Sequence, residues 1–278
     1  MQNITDILNT YDPITLKEME SEMLMRRFDY KFKFHIRQLP FFLESVLSDY
    51  RVLAVDKIRL HKYESLYFDT ENFLLFLQHQ NVRRTRYKVR YRHYTDSNLT
   101  FFEVKLKNNK DFTIKERIRQ DNIKPVLQDE TGDFLMEKTK MEPKDFSPKL
   151  WVHFSRMTLV NKHADERITI DVNPVFKMNG STLSFPSLVI AEVKQKKYFR
   201  SPFVAMMREN HIRKEDISKY CMGIALMKED IKKNKFKRNL LSIKKLCNEQ
   251  NLNHFRHHAF IVFMRTGILR NCTGQHFG

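Results

Sequence analysis

The chain has 278 residues, 41% hydrophobic and 30% charged, which is enough apolar material for a packed core and excludes wholesale disorder. Its 50 basic and 33 acidic side chains leave a net charge of +17, which points to a polyanionic partner: nucleic acid, anionic lipid or a phosphate-rich small molecule. With only 6 glycines and neither a G-x-G-x-x-G nor a Walker lysine motif, any phosphate must be held by side chains rather than by a glycine-rich loop.

Residues 1–24 read as a lead-in without a signal peptide. The segment "MLMRRFDYKFKFHI" (23–36) alternates as a strand does, with Phe28, Tyr30, Phe32 and Phe34 on one face and Arg27, Asp29, Lys31 and Lys33 on the other. Apolar residues at helical spacing and Pro40 in the first turn make 39–50 a helix. "HKYESLYFDT" (61–70) reads as a strand and "ENFLLFLQHQ" (71–80) as a short amphipathic helix.

A meander follows. In "YKVRYRHY" (87–94), Lys88, Arg90 and Arg92 share one strand face, while Val89 and Tyr91 share the other. If "TDSN" closes a hairpin to "LTFFEVKLK" (99–107), Tyr94 pairs with Leu99, Arg90 with Glu103 and Lys88 with Lys105. A five-residue loop then sets Lys115 of "TIKERIR" (113–119) opposite Lys105 and Arg117 opposite Glu103. Arg119 continues that arginine strand.

Residues 120–140 read as a helix and then a loop. "KLWVHFSRMTLVN" (149–161), carrying Arg156, and "ERITIDVN" (166–173) form a second hairpin. "LVIAEVKQKKYF" (188–199) is a further strand with Glu192, Lys194 and Lys196 at period two. "SPFVAMMREN" (201–210) opens with a Ser-Pro helix start, and one helix is expected from about 222 to 247. The run "KKNKFKR" (232–238) reads as a solvated helix face, or else as a surface for anionic lipid or a path for polyphosphate. Residues 250–278 lack periodicity and read as a loose tail, in which His254, His257, His258 and Cys272 have no zinc-ligand spacing.

Several strands thus carry charge on one face and apolar residues on the other. A closed antiparallel barrel would turn the charge into an internal tunnel and pack the apolar face against helices, giving an α+β fold with a basic lumen. The cysteines, Cys221, Cys247 and Cys272, are odd in number and lack metal spacing, which fits a reducing, cytoplasmic compartment. No apolar run approaches the roughly 18 residues of a membrane span.

The order "KVRYRHY", "FFEVKLK", an arginine strand, "IAEVK" and "SKYCMG" resembles the VTC (vacuolar transporter chaperone) polyphosphate polymerase domain, of the triphosphate tunnel metalloenzyme superfamily that includes the CYTH proteins. "YESLYFDT" before a short helix adds to the likeness, which runs from about residue 25 to 235 within a domain expected over 25–249. The resemblance implies a phosphate-binding arginine pair at Arg90 and Arg92, closed by Tyr94. It further implies catalytic roles for Lys105, Arg156 and Lys219, a phosphate-chain contact at Ser218, and a divalent-metal ligand at Glu192. Glu103 is a second metal candidate; Lys31, Lys88, Arg117, Arg119 and Lys194 are candidate substrate contacts. The superfamily's first strand reads E-x-E-x-K, whereas this chain has Arg27, Asp29 and Lys31 there, which argues against a second metal site and against hydrolysis.

The expected reaction moves the γ-phosphoryl group of ATP onto inorganic polyphosphate with Mn²⁺ or Mg²⁺. Arginine forks and lysines would neutralise charge, and the phosphate nucleophile would need no activating base. Nucleic acid is not the expected partner, because period-two charge on several strands implies an enclosed surface rather than an open groove. A membrane protein partner would be needed for export and would bring the chain to the membrane. A tunnel-type triphosphatase and a non-catalytic polyanion-binding module stand as alternatives.

Overall fold

The computed structural model describes residues 3–20, 28–110, 113–196 and 199–248. Arg27 and the segment 249–278 lie outside the described residues. The chain opens with α1 (Ile4–Thr10), β1 (Pro13–Ile14) and α2 (Leu16–Glu20), then runs through β2 (Phe28–His35), α3 (Leu39–Ser45) and β3 (Tyr50–Leu53). Next come β4 (His61–Thr70), α4 (Leu74–Gln80), and the meander β5 (Arg86–Tyr94), β6 (Leu99–Lys107) and β7 (Thr113–Gln120). After α5 (Asp129–Thr139) lie β8 (Phe146–Asn161), β9 (Glu166–Met178), β10 (Ser181–Ser184) and β11 (Leu188–Gln195). Helices α6 (Pro202–Glu209), α7 (Lys219–Met227) and α8 (Lys237–Asn248) complete it.

The main sheet runs β2-β11-β9-β8-β4-β5-β6-β7, and these neighbours are antiparallel. The hairpin registers are those the loop lengths dictate: Arg90 pairs with Glu103, Lys88 with Lys105, Lys105 with Lys115 and Glu103 with Arg117. The sheet is strongly curved, since one cavity is lined by Lys31 of β2, Lys105 of β6 and Thr113 of β7, from opposite ends of the strand order.

Strand alternation separates the two faces. Outward residues of β2, β11, β9 and β8 (Phe32, Val193, Ile170, Met157) bury against Leu8 of α1, Phe42 of α3 and Phe203 of α6. Those of β4, β5 and β6 (Phe68, Tyr91, Phe102) bury against Leu135 of α5. The residues expected to form a lead-in therefore supply core side chains, Ile7, Leu8 and Tyr11. On the inner face, α7 packs its buried residues Tyr220 and Ile224 against Leu150 and Phe176, with Phe76 of α4 and Ile243 of α8 in the same cluster.

The closed barrel expected from the sequence does not form. Among the described residues β2 pairs only with β11 and β7 only with β6, so the sheet is an open, curled α+β structure. One physical reason lies at β2: the backbone N–H of Glu215 donates to the Lys31 carbonyl at 2.9 Å, so the segment leading into α7 takes up part of that strand's edge. The other is charge, because β7 is an exposed edge bearing Lys115, Arg117 and Arg119.

Two helix expectations are also corrected. Residues 121–128 form a loop and the helix follows at 129–139, because Pro125 disfavours helical backbone at Lys124. The single helix over 222–247 is instead α7 and α8 with a break between them. Ile224 and Ile243 belong to one core cluster, whereas a continuous helix would hold them roughly 28 Å apart at 1.5 Å per residue.

Candidate functional site

The inner face collects the charged side chains. Because Val89 and Tyr91 of β5 and Phe102 and Val104 of β6 point into the outer core, Lys88, Arg90, Arg92, Glu103 and Lys105 must point inward. The same alternation brings Arg156 of β8, Thr169 and Asp171 of β9, Glu192 and Lys194 of β11, and Lys31 of β2 to that side.

Two carboxylates knit the arginines together. Glu103 accepts from Arg90 Nε at 2.8 Å and Nη2 at 2.6 Å, and its other oxygen accepts from Lys115 Nζ at 3.1 Å. Arg90 also donates to the Tyr67 hydroxyl at 2.8 Å. Asp171 is held by the two-pronged fork of Arg156, at 2.5 and 2.9 Å, and by Lys219. Burial would raise both acids, but Arg90, Arg92 and Lys115 hold Glu103 far below the usual range, and Arg156 with Lys219 holds Asp171 at about 2. Among the described residues Arg92 has no carboxylate within ion-pair distance; it donates to Ser65 Oγ at 3.3 Å and lies over the rings of Tyr63 and Phe154. Burial and the neighbouring Arg90 press its proton affinity down.

Beyond the arginines the face opens into a cavity of about 400 Å³ lined by Lys31, Lys88, Lys105, Lys107, Lys214 and Lys235, with Asp29, Glu215, Asp216 and Ser218. Burial, joined by Lys88, Lys31 and Lys194, drives Lys105 down to about 7, against the pull of Glu192. Lys88 is likewise lowered, by burial and by Lys31. Three lysines from β2, β5 and β6 thus crowd one cavity, and two of them, Lys88 and Lys105, hold their protons less tightly for it. An anion with several negative oxygens would relieve that repulsion.

Ser218 caps α7, accepting from Cys221 N at 3.3 Å, and also lines the cavity; Lys219, next in sequence, reaches Asp171. Six consecutive residues of α7, Tyr220 to Ala225, are buried, as befits a helix enclosed over its middle turns. Its place is fixed by the hydrogen bond from the Tyr220 hydroxyl to Asp69, whose carboxylate also caps α4 through the N–H groups of Leu75 and Phe76. Tyr94 packs on Tyr63 and Phe101 at the arginine end, and Arg117 stacks on Phe101 at 4.2 Å. Arg117 and Arg119 are exposed on the edge strand, away from the cavity.

The metal-binding possibilities are sparse. No group of three His, Cys, Asp or Glu side chains clusters among the described residues. Both oxygens of Glu103 are taken by cations. Glu192 faces Lys194 at 3.4 Å, and burial is outweighed by Lys194, Lys31, Lys105 and Arg156, which keep it ionised well below the usual range. Across the β9–β11 pair sits Thr169, whose buried hydroxyl has no hydrogen-bond partner among the described residues. One carboxylate beside one free hydroxyl suits Mg²⁺ or Mn²⁺ that draws its remaining ligands from phosphate and water, not a caged ion.

Asp171, Tyr67 and Lys115 are parts of the site that motif reasoning passed over. Asp171 had a signal: if "KHAD" (162–165) closes the β8–β9 hairpin, Arg156 falls opposite Asp171, as it does. No helix among the described residues is long and apolar enough to cross a membrane.

The fold is similar to several solved structures. A putative adenylate cyclase from Vibrio parahaemolyticus is 14% identical, with 70% of this chain and 97% of that one covered and a TM-score of 0.42. One from Bacillus halodurans is 12% identical, covering 72% and 96%, with a TM-score of 0.44. A putative adenylyl cyclase from Hippeastrum, described as having a dominant triphosphatase activity, is 12% identical, covering 74% and 98%, with a TM-score of 0.44. No curated protein matches significantly. The VTC domain family matches residues 26–228, nearly three quarters of the sequence, and the chain belongs to that family.

Proposed function

We propose that the protein is a polyphosphate polymerase that transfers the γ-phosphoryl group of ATP to the end of an inorganic polyphosphate chain. The observation that carries this reading is the lysine-lined cavity running into the arginine face, a surface suited to a string of phosphates. A terminal phosphate oxygen of the acceptor attacks the γ-phosphorus, the bond to the β–γ bridging oxygen breaks, and ADP leaves with that oxygen. Arg90, Arg92 and Arg156 orient and neutralise the transferring group, while Lys31, Lys88 and Lys105 hold the chain. Glu192, with the Thr169 hydroxyl beside it, would hold a Mg²⁺ or Mn²⁺ ion, which when bound offsets negative charge on phosphate oxygens.

Growth asks no proton transfer of the carboxylates: Glu103, Asp171 and Glu192 are each held ionised by neighbouring cations, and none is needed as a base. A phosphate nucleophile is already ionised and needs none. The test is incubation with γ-labelled ATP and Mn²⁺ or Mg²⁺, with and without a short polyphosphate primer. Labelled chains longer than the primer are expected, and Glu192→Gln should abolish them; release of free phosphate alone would establish a triphosphatase instead.

A further inference from the structure

The basic run 232–238 is divided by the fold. Lys233 donates to the Lys228 carbonyl at 3.0 Å, and Lys235 turns toward the cavity, donating to the His79 carbonyl at 3.3 Å and lying 3.5 Å from Asp216. Lys237 and Arg238 do the opposite. They begin α8 and face solvent together with Leu241, Lys244 and Lys245. The spacing i, i+1, i+4, i+7, i+8 gathers these five side chains on one face of the helix. The other face, Leu240, Ile243, Leu246 and Cys247, packs against the protein.

This outward face is unusual in two ways. No acidic residue occurs anywhere in α8, and none of the four cations is ion-paired with a described residue. At their centre Leu241 is 66% exposed, more than any other large apolar side chain among the described residues. A helix face that only needs to be wetted mixes both signs and does not require a leucine at its middle. Beyond α8 and the single acid Glu249, the sequence keeps the same character: residues 250–278 contain Arg256, Arg265, Arg270 and the run "AFIVFM", and no further Asp or Glu.

We infer that the outer face of α8 docks on an anionic phospholipid surface, its cations meeting lipid phosphates and Leu241 entering the headgroup boundary. None of these five side chains lines the cavity, so docking through them does not occupy it. Charge complementarity identifies the partner: a flat anionic sheet matches a flat cationic face, whereas a phosphate chain is better matched by the concave, lysine-lined cavity.

The experiment is flotation of the full chain with phosphatidylcholine vesicles, with and without phosphatidylglycerol. Binding is expected only to the anionic vesicles. The K237E/R238E/K244E/K245E chain should lose at least about tenfold in affinity. A chain with the same charge removed elsewhere, at exposed Lys17, Lys57, Lys140 and Lys144, should stay within about twofold. Equal losses in both variants would mean bulk attraction to a basic protein and would overturn the proposal. So would an α8 variant that loses tripolyphosphate affinity but keeps vesicle binding, which would make α8 part of the phosphate path. Should the fourfold variant misfold, L241E decides, since it alters one solvent-facing side chain: lowered vesicle binding supports docking and unchanged binding refutes it.

Discussion

Lys105 shows how the site is poised. Its charge is unwelcome until an anion arrives, because burial and the like charges of Lys88 and Lys31 bring it to about 7. In the unfolded chain the same group ionises near 10.5, so between about 7 and 10.5 the unfolded state holds more proton. This group's contribution to stability therefore rises with pH across that window, and its cost is fully present below about 7. Ligand binding has the opposite sense: a polyanion must draw a proton back onto Lys105 as pH rises. Tripolyphosphate affinity is expected to fall through pH 7 to 9 more steeply in the wild type than in Lys105→Arg, whose guanidinium stays charged. Calorimetry in buffers of different ionisation enthalpy will show more proton uptake in the wild type than in Lys105→Arg, where Lys88 remains; identical uptake in both proteins would remove Lys105 from the site.

At the scale of elements, α7 is the part on which the inner face depends. Gly223 lets it approach the sheet: a Cβ there would sit 2.5 Å from Leu150 Cδ2 and 2.7 Å from Phe176 Cδ1. Gly223→Ala should cost about 1–3 kcal/mol in urea unfolding. It should also weaken tripolyphosphate binding, because a helix pushed off the sheet carries Lys219 away from Asp171. A stability loss with unchanged affinity would show that α7 is only a plug. The meander β5–β6–β7 was legible from sequence because period-two charge and short loops fix register locally. The α7–α8 break was not, since helical periodicity runs on through it and only the need to bury Ile224 and Ile243 together forces the chain back. Asp69 was hidden for a similar reason, because its partner Tyr220 lies 151 residues away.

For the whole molecule, sequence told which face is charged but not whether its ends meet. Period-two patterning is the same in a curled open sheet as in a closed barrel, and the edge contact that separates them, Glu215 on Lys31, is a tertiary event. The two end strands both carry cations, Lys31 on β2 and Lys115 on β7, so repulsion helps to hold them apart. Tripolyphosphate is expected to slow amide hydrogen exchange in Thr113–Gln120 well beyond the slowing in α5, which lies on the outer face. Uniform slowing across both would mean global stabilisation without any drawing-in of β7.

The gap between β2 and β7 also bears on how a long polymer reaches the inner face. A sealed tube admits a chain only end-on, so each long molecule must be threaded from a terminus and must slide out the same way. A trough with one side open accepts a chain sideways, at any point along its length, and can let it go without running it back to its end. Under the proposed polymerase function, release would then be set by the number of phosphates gripped at once and not by the total length of the product.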